Sequence, residues 1–401
     1  ERAGLEAIID AGVPCPQEVW SIVDEGGGYF LATEFLDDAA TIQDCYKGLS
    51  LQQIKPLLRD ALCLIGQLHR SGSMQADIHL DNFLLSRGKL FVIDGGGVEP
   101  LNSPLDNLAL FFAQMIPDYD DLVSGVIDSY GEGAPSVADL FPAIIRMREQ
   151  RIKNYLAKTT RSCTQFKVTK TPHSFVAIER SFESERLSRI MQEPEVALGQ
   201  AQFLKRGNTS TVVKIKGSAS DWVLKRYNIK NFWHGLSRCF RPSRAWVSWQ
   251  SAHRLELLGI ATPKSVAIRE NRSGPLRREA YLITECAEGY DLQKWLLKSK
   301  DAQVPEWLDH QVRRLFDILW LSRVSHGDMK ATNFIVTGET LQVIDLDAVK
   351  WHGSNKPFIK AYGGDIQRFM DNWQGNTWLH FEQLLRPIAE RAGVSLKNKK
   401  V

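Results

Sequence analysis

Three polar residues stand out between Ser325 and Asp347. Asp328 is followed five positions later by Asn333, and Asp345 ends the next apolar run. Mg²⁺ prefers hard oxygen ligands and usually takes one or two protein groups together with substrate phosphates. Asn333 and Asp345 can provide such oxygens, which leaves Asp328 to accept a proton from an attacking hydroxyl. The spacing therefore predicts phosphoryl transfer from a magnesium-bound nucleotide.

A cation that holds the nucleotide phosphates would complete such a site. Lys225 lies in the strand-like stretch WVLKRY, downstream of a glycine-containing turn at Gly207. This order is typical of the phosphate loop and lysine strand of kinases. Many kinases have a G-x-G-x-x-G pattern where this chain has one glycine. Backbone N–H groups, with the hydroxyl of Ser210 or Thr211, are therefore expected to cradle the phosphates.

The same spacing occurs a second time, earlier in the chain. Asp77 precedes Asn82 by 5 positions and Asp94 by 17, and the later copy has the same two intervals. The Thr-Glu pair in YFLATEF lies before Asp77 at the same separation, 43 positions from its Glu, as the pair in AYLITEC lies before Asp328. GVPCP and GIATP match as well. Internal similarity over this length predicts two copies of one domain.

Apolar periodicity predicts the elements that position these residues. Residues 54–68 and 308–324 carry apolar side chains at helical spacing, and each helix leads into an aspartate loop. Two short strands joined by a polar turn then follow, with Arg87-Gly88 and Thr337-Gly338 as turn residues. Strand-like alternation at the front, with turns at Gly207 and Gly217-Ser218, occurs only before the later copy.

The motifs resemble those of a known superfamily. HGDMKATN followed by VIDLD resembles the H-G-D-x-x-x-x-N and D-x-D signatures of protein-kinase-like proteins. GIATP, VLKRYN, HGDMKATNF and VIDLDAV are similar to bacterial lipopolysaccharide core kinases, which phosphorylate Kdo or heptose sugars. YLAKTTRSCTQF, at 155–166, resembles the segment before the catalytic lobe in that family. The resemblance covers most of 151–370 and, more weakly, 1–130.

The resemblance implies an α+β fold with two tandem protein-kinase-like domains. The first, 1–150, would lack most of its small β lobe, and the second, 151–401, would be complete. Its small lobe is expected at about 196–285 and its large lobe at about 286–401. Three interpretations of the first domain stay open: a degenerate folding or docking domain, a second active kinase, or a regulatory nucleotide binder.

The resemblance also implies a role for each matched residue. Lys225 would hold the α- and β-phosphates, Asp328 would be the catalytic base, and Asn333 with Asp345 would bind Mg²⁺. Further expected roles belong to residues around this centre: bracing of the loop by His326, contact with the transferring phosphate by Lys330, and adenine stacking at the hinge of Thr284 and Glu285. In the first domain Asp77, Asn82 and Asp94 are the corresponding residues.

Two positions depart from the kinase pattern. Kinases usually pair the lysine with a helix glutamate, but counting back from the shared glycine places Ser248 there, opposite Glu1 of the first copy. Glu256 is a poor substitute because it lies only three residues before Gly259. Asp347 is expected to serve either as a further metal ligand or as a structural partner of the loop.

The first copy departs further. It has Gln75-Ala76 in place of His326-Gly327, and Gly95 to Gly97 after Asp94 are expected to loosen the backbone beside a metal ligand. Asp365 in the second copy and Asp106 in the first are expected to anchor the aspartate loops. Among the tryptophans, Trp351 is the candidate for stacking on a sugar.

The resemblance implies a kinase that uses ATP and Mg²⁺ to phosphorylate a sugar hydroxyl of the lipopolysaccharide inner core in a Gram-negative bacterium. One alternative is the same chemistry on a protein Ser/Thr side chain or a small molecule. Another is a pseudokinase scaffold without turnover, which the missing helix glutamate and the single-glycine loop favour. The intact set of Lys225, Asp328, Asn333 and Asp345 favours catalysis.

Composition limits the class of partner and compartment. The net charge of +3 does not suggest a nucleic-acid partner, although two basic runs, 146–170 and 226–244, are either solvated faces or surfaces for an anionic membrane or phosphorylated substrate. Six cysteines without a C-x-x-C pair suit a reducing compartment. No apolar run is long enough to span a membrane. We therefore expect a cytoplasmic protein, peripheral to the inner membrane, with a segment preceding Glu1.

Overall fold

The computed structural model describes residues 1–23, 29–46, 49–217, 220–228, 242–274, 276–298 and 304–397. The chain divides into two compact units, Glu1–Arg151 and Ile152–Val401. Both contain helices and antiparallel strands, which agrees with the α+β class. The predicted turn residue Ser218, the basic residues Lys230, Arg238 and Arg241, and Cys239 lie outside the described residues.

The first unit contains short antiparallel strand pairs among helices. Its helices are α1 Arg2–Asp10, α2 Ile42–Tyr46, α3 Leu51–Arg70, α4 Pro104–Phe112, α5 Val123–Val126 and α6 Val137–Lys158, which extends past the division. Its strands are β1 Glu18–Val23, β2 Tyr29–Thr33, β3 Ala40–Thr41, β4 Ser73–Gln75, β5 Phe83–Ser86, β6 Lys89–Val92 and β7 Val98–Pro100. The pairs are β1 with β2, β3 with β5, β5 with β6 and β4 with β7.

Helix α3 shows why the sequence folds as predicted here. Its first turn is closed by a capping box in which the Ser50 hydroxyl accepts from Gln53 N–H and the Gln53 side chain accepts from Ser50 N–H. The apolar positions at helical spacing, from Ile54 to Leu68, are all buried. The helix ends before Gly72, whose positive φ of 84° suits glycine. The helical prediction for this segment is confirmed.

The second unit places a large antiparallel sheet before a mainly helical region. Its helices are α7 Glu185–Gln192, α8 Pro194–Gly199, α9 Arg244–Leu257, α10 Leu292–Lys298, α11 Glu306–Leu321, α12 Asn355–Met370 and α13 Gly375–Arg391. Its strands are β8 Phe166–Lys170, β9 Ser174–Glu179, β10 Gln202–Arg206, β11 Ser210–Lys216, β12 Asp221–Tyr227, β13 Ser265–Ser273, β14 Leu276–Glu285, β15 Tyr290–Asp291, β16 Val324–Ser325, β17 Phe334–Thr337, β18 Thr340–Val343 and β19 Lys350–Trp351.

The large sheet has seven strands in the order β10-β11-β12-β14-β13-β9-β8. Strand β14 shows how both of its faces are covered: Ile283 packs in one apolar cluster with Leu187 of α7, and Leu282 packs in another with Trp249 of α9. The sheet begins at Phe166 because β9 pairs with β13. The sheet therefore includes β8 and β9, which precede the small-lobe start expected at about residue 196.

The two units repeat a local arrangement around their aspartate loops. In each, a hairpin follows the loop, β5–β6 in the first unit and β17–β18 in the second. The predicted hairpin turns are present, and Gly88 and Gly338 have positive φ values of 76° and 59°. Asp94 and Asp345 then adopt left-handed backbone conformations with φ of 66° and 62°. Each begins a 3-10 turn, Gly95–Gly97 or Leu346–Ala348.

Gly95, the first glycine of the run after Asp94, has a packing role that the sequence did not predict. Helix α1 lies directly on this turn, so a Cβ atom at Gly95 would come within 2.6 Å of Leu5 N and 2.7 Å of Glu1 O. A Cβ atom at Gly4 would come within 1.8 Å of Gly95 O. The absence of side chains allows the helix and the turn to approach each other closely.

The first basic run is largely occupied by internal contacts where it begins. Arg148 is buried and donates to both carboxylate oxygens of Asp120, at 2.9 and 2.6 Å. Arg151 donates to the Ala113 carbonyl at 2.6 Å. Arg146 is exposed but contacts Asp106 at 2.5 Å. Arg148 and Arg151 therefore serve internal contacts, whereas Arg146 lies on a solvated surface.

A single methyl group at Gly95 should destabilise the first unit. Overpacking costs about 1–3 kcal/mol, and here the obstacle is helix backbone, so we expect Gly95→Ala to lower the free energy of unfolding by about that amount. Hydrogen–deuterium exchange of the peptide that covers α1, together with urea unfolding, measures this.

Gly97→Ala is the matched control in the same turn, since nothing lies within 4 Å of its Cβ position. It should leave exchange in α1 unchanged. Equal protection of α1 in the two variants would contradict the packing role of Gly95.

Candidate functional site

The second unit contains a cavity of about 530 Å³ between its sheet and its aspartate loop, which is a typical size for a small-molecule site. Apolar side chains enclose one part of it: Val212, Val223, Leu282, Ile335 and Ile344. Polar residues enclose the other part, and they include six that the sequence analysis named: Ser210, Lys225, Thr284, Glu285, Asn333 and Asp345. Gly207 and Thr211 are not among its lining residues.

The turn between β10 and β11 explains why Gly207 and Thr211 do not line the cavity. Gly207 N–H donates to the Ser210 carbonyl at 3.0 Å, and the Gly207 carbonyl accepts from the Asn228 side chain at 3.1 Å. Thr211 pairs with Arg226 in the ladder between β11 and β12. Ser210 is buried and faces the cavity. Of the three residues predicted to cradle phosphates, the structure brings only Ser210 to the cavity wall.

Lys225 reaches the cavity from the middle of β12, where it lies opposite Val212 and Leu282 of the neighbouring strands. Its ammonium group contacts the Asp345 carboxylate directly and lies 3.5 Å from Asp347 Oδ2. Burial alone would lower the pKa of Lys225, but the neighbouring Tyr227, Asp345 and Asp347 outweigh it and raise that pKa above its ordinary value. The lysine is therefore a fixed positive charge in the cavity.

Asp345 and Asn333 present oxygen atoms to the same cavity. Burial alone would raise the pKa of Asp345, but the positive charges of Lys225 and Arg244 keep it below its usual range. The Asn333 amide nitrogen donates to the Asp328 carbonyl at 2.8 Å and to Asp328 Oδ2 at 3.2 Å, so its amide oxygen points away from the loop. A carboxylate and an amide oxygen are ligands that Mg²⁺ accepts, with phosphate and water completing its shell.

Asp328 is held by three donors and does not line the cavity. Besides Asn333, Lys330 Nζ lies 2.9 Å from Asp328 Oδ2, and Arg368 Nε lies 3.4 Å from Asp328 Oδ1. Arg368 comes from α12 and about half of its side chain is exposed, as is that of Lys330. Arg368 was not expected from the sequence, because nothing in its local sequence connects it to the loop.

His326 braces the loop through both ring nitrogens. Nδ1 accepts from Asp328 N–H at 3.2 Å, which leaves Nε2–H to donate to the Ile344 carbonyl at 3.1 Å. Burial lowers the pKa of His326, so the imidazole is neutral near pH 7 and suited to this donor–acceptor pattern. The ring thus connects the aspartate loop to the strand that ends at Asp345.

Asp365 anchors the same loop through its carboxylate, as predicted. Its carboxylate accepts from His326 N–H at 2.6 Å and from Gly327 N–H at 2.8 Å. Gly327 has φ of 83°, and a Cβ atom there would come within 3.0 Å of Ala348. Asp365 is almost fully buried, and this burial raises its pKa to about 6 despite the two hydrogen bonds.

The predicted anchor of the first unit, Asp106, is wrong. Its carboxylate contacts Arg146 at the surface. The buried neighbour Asn107 provides the anchor instead, because its amide nitrogen donates to the Gln75 carbonyl at 2.7 Å and its oxygen lies 3.0 Å from His69 Nε2. An uncharged anchor needs no desolvation of a carboxylate.

Gln75 also takes over the bracing contact that His326 makes in the second unit. Its amide nitrogen donates to the Ile93 carbonyl at 2.6 Å, one residue before Asp94. Asn82 likewise donates to the Asp77 carbonyl, at 3.2 Å. The replacement of His by Gln therefore keeps the hydrogen bond to the residue before Asp94.

A cavity of about 600 Å³ lies in the first unit, and Asp94 lines it. Its other polar side chains include Glu1 and Glu34, and no lysine or arginine lines it within the described residues. Asp77 and Asn82 are not among its lining residues. Of the three candidate residues, the structure therefore brings only Asp94 to this cavity.

Three other residues singled out from the sequence have definite positions. Glu256 lies at the end of α9, near His253, and does not contact Lys225. Asp347 contacts Lys225 and Arg244. Trp351 is 40% exposed, with Lys153 Nζ 4.9 Å from the centre of its ring.

The raised pKa of Asp365 makes a prediction for stability. Because the folded pKa is about 6 and an ordinary aspartate titrates near pH 4, the buried acid favours folding below pH 4 and loses that contribution as pH rises through 6. The free energy of unfolding of the parent, minus that of Asp365→Asn, should fall by about 3 kcal/mol at most between pH 4 and pH 7. Urea unfolding of both proteins across this range measures it. A difference that rises with pH would contradict the assignment.

The second unit contains a segment that matches a known protein family. No curated protein matches the chain. A solved structure described as "WaaP in complex with acyl carrier protein" aligns over 52% of this chain and 96% of that chain, with 19% identity and a TM-score of 0.36. The family model for the Lipopolysaccharide kinase (Kdo/WaaP) family matches residues 190–356, which contain β12, the aspartate loop and Asp345. This part of the chain is therefore similar to the lipopolysaccharide kinase (Kdo/WaaP) family.

Proposed function

We propose that the second unit transfers the γ-phosphate of ATP to a sugar hydroxyl of the lipopolysaccharide inner core. The observation that carries this proposal is the convergence of Lys225, Asn333 and Asp345 on one half-apolar cavity, within the segment matched by the kinase family. The family supports a kinase of lipopolysaccharide. The sugar hydroxyl and the inner core as its location are the finer part of the proposal.

The cavity suits an adenine nucleotide in one orientation. The apolar side chains on either side, Val212 and Val223 from the sheet and Ile335 and Ile344 from the hairpin, would enclose the flat base. The backbone around Thr284 and Glu285 would border its edge. Lys225 would then lie at the phosphate end, where its positive charge offsets the charge of the α- and β-phosphates.

The residues at the phosphate end also fit Mg²⁺. The described residues contain no group of three His, Cys, Asp or Glu side chains that could hold a metal by themselves. One carboxylate and one amide oxygen, with phosphates as further ligands, match the way Mg²⁺ binds in kinases. Asn333 and Asp345 would hold the ion, which neutralises phosphate charge when bound.

Asp328 would align and deprotonate the acceptor. The hydroxyl oxygen attacks the γ-phosphorus, the bond from phosphorus to the β–γ bridging oxygen breaks, ADP leaves, and the hydroxyl proton passes to the Asp328 carboxylate. Lys330, 2.9 Å from that carboxylate, would stabilise the negative charge on the transferring phosphate. His326 and Asp365 hold the loop and do not touch the reacting atoms in this scheme.

The charges beside Asp328 favour an anionic acceptor. Lys330 and Arg368 both donate to the aspartate. Once Lys330 contacts the transferring phosphate, Arg368 is not needed for that phosphate. Arg368 is then placed to bind a carboxylate or phosphate next to the reactive hydroxyl. Acidic inner-core sugars fit this better than a neutral aminoalcohol or a protein serine, which are the alternative acceptors.

We also propose that the first unit is a second kinase-like copy. The left-handed Asp94, the hairpin β5–β6 and the bracing contact of Gln75 all have counterparts in the second unit. The acidic lining of its cavity does not favour polyphosphate. A supporting role for folding or docking is therefore the interpretation that we prefer for residues 1–150, with 151–401 as the catalytic domain.

The proposed location is the cytoplasmic face of the inner membrane. No helix in the described part of the chain is long and apolar enough to cross a membrane. Exposed cations in the later part of the first basic run, Lys158, Arg161, Lys167 and Lys170, would provide contact with anionic lipid. Lys167 contacts Glu183, which limits its share.

Catalysis should depend on Asp328 and not on its counterpart Asp77. General-base catalysis contributes about 10²- to 10⁴-fold, so Asp328→Asn should lower kcat for transfer from γ-labelled ATP to dephosphorylated lipopolysaccharide by at least about 100-fold. Asp77→Asn, the same change in the matching loop, should leave kcat essentially unchanged.

Equal losses in the two variants would mean that the first unit is catalytic or strictly coupled to the second. Normal activity of Asp328→Asn would remove this residue as the base. MgATP binding without transfer to any tested acceptor, by a parent protein that is folded, would favour the scaffold.

Arg368 should control recognition of the acceptor. Loss of a charge-assisted hydrogen bond corresponds to roughly tenfold in affinity, so Arg368→Gln should raise KM for a carboxylate-bearing sugar acceptor by about tenfold with little change in KM for ATP. The change should vanish with the methyl ester of the same acceptor.

Arg386→Gln is the control, because this arginine pairs with Glu382 on the surface of α13. A KM increase of equal size for acid and ester would show that Arg368 does not read the acceptor charge.

A further inference from the structure

Within the described residues, Lys225 has no glutamate partner of the kind that kinases usually take from a helix. Ser248 occupies the expected position on α9, and its hydroxyl lies 2.8 Å from the Tyr227 hydroxyl. The lysine instead contacts two aspartates that follow β18, Asp345 and Asp347. If Asp345 serves a metal ion, Asp347 is the acid that stays with the lysine.

Asp347 is well suited to that task. Its side chain is 9% exposed, and its Oδ2 atom lies 2.5 Å from Arg244 Nη2 and 3.5 Å from Lys225 Nζ. A carboxylate that is this buried is stable as an anion only with close positive partners. The two cations therefore fix Asp347, and Asp347 in turn fixes where they lie.

Arg244 connects this acid to two other elements. It is the first residue of α9, directly after the capping residue Ser243. Its Nη1 atom donates to the Thr209 carbonyl at 3.4 Å, in the turn between β10 and β11. The guanidinium group also lies 5.2 Å from the centre of the Tyr227 ring. One side chain thus links the start of α9, the turn above the cavity and the loop after Asp345.

The first unit provides an independent comparison. Its aspartate loop keeps Asp94 opposite Asp345, but Gly96 stands at the position of Asp347. No lysine lines its cavity within the described residues. Asp347 therefore occurs in the unit whose cavity contains a lysine. In the first unit, where no lysine lines the cavity within the described residues, the matching position is Gly96.

We propose that Asp347 and Arg244 form a positioning pair that replaces the missing helix glutamate. Asp347 retains the Lys225 ammonium group at the phosphate end of the cavity, and Arg244 ties this acid to α9 and to the β10–β11 turn. The inference rests on the proposed function, since it names the residues that orient the lysine for phosphate binding. It also assigns Asp347 to the lysine rather than to the metal.

The test compares Asp347→Asn, Arg244→Gln and the double variant. Each single change should lower kcat/KM for MgATP by about 10- to 100-fold, the range for a lost charged hydrogen bond. Because the two residues act through one another, the double variant should be about as impaired as the worse single variant. The Mg²⁺ concentration for half-maximal rate should not change.

Two controls keep this test specific. Arg226→Gln alters the neighbouring residue of β12, which pairs with Glu195 away from the cavity, and should leave kcat/KM unchanged. Arg244→Lys keeps the charge but shortens the reach, and should recover part of the activity. Thermal unfolding of each variant separates misfolding from misplacement.

Calorimetric titration with MgATP repeats the comparison without any acceptor. Weaker binding in both single variants, with no further loss in the double variant, would support the pair even if no acceptor were phosphorylated and the proposed function had failed. The proposal would be overturned if the losses of the two single variants multiplied in the double variant. It would also be overturned if Asp347→Asn alone required a higher Mg²⁺ concentration. The latter outcome would make Asp347 a metal ligand.

Discussion

Lys225 and Asp345 lie far apart in the sequence, and their contact joins the two parts of the second unit. The lysine projects from the middle of a seven-stranded sheet, and the aspartate ends a hairpin below the cavity. Both charges are largely buried, so each depends on the other to offset its loss of hydration. Both residues line the cavity, which therefore lies where the sheet and the hairpin meet.

Much of the surrounding structure serves to hold Asp345 in an unusual backbone conformation. A left-handed φ at a residue with a side chain costs free energy and persists only when neighbours determine it. The hairpin fixes the chain before Asp345, and the 3-10 turn Leu346–Ala348 fixes it afterwards. His326 connects the preceding residue, Ile344, to the aspartate loop, and Asp365 holds that loop. Asp328, Asn333, Asp345 and Lys225 are therefore positioned by one connected set of contacts.

The sequence predicted the parts of this arrangement that depend on local pattern. Helix α3, the two hairpins and their turn residues follow from periodicity and turn chemistry, and the intervals around Asp328 identified Asn333 and Asp345. Contacts between distant segments left no local signal. Arg244 and Arg368 look like ordinary helix residues, and Asn107 is next to the more conspicuous Asp106. The packing role of Gly95 could not be predicted, because it depends on the approach of α1, which only tertiary packing reveals.

A structure of the protein with Mg²⁺ and a non-hydrolysable ATP analogue tests the central claim most directly. We predict that Lys225 leaves Asp345 for the phosphates, that Asn333 and Asp345 bind the metal ion, and that the base lies between Val223 and Ile335. A nucleotide bound outside this cavity, or a complex in which Asp345 still holds Lys225 and no metal ion is present, would contradict the account.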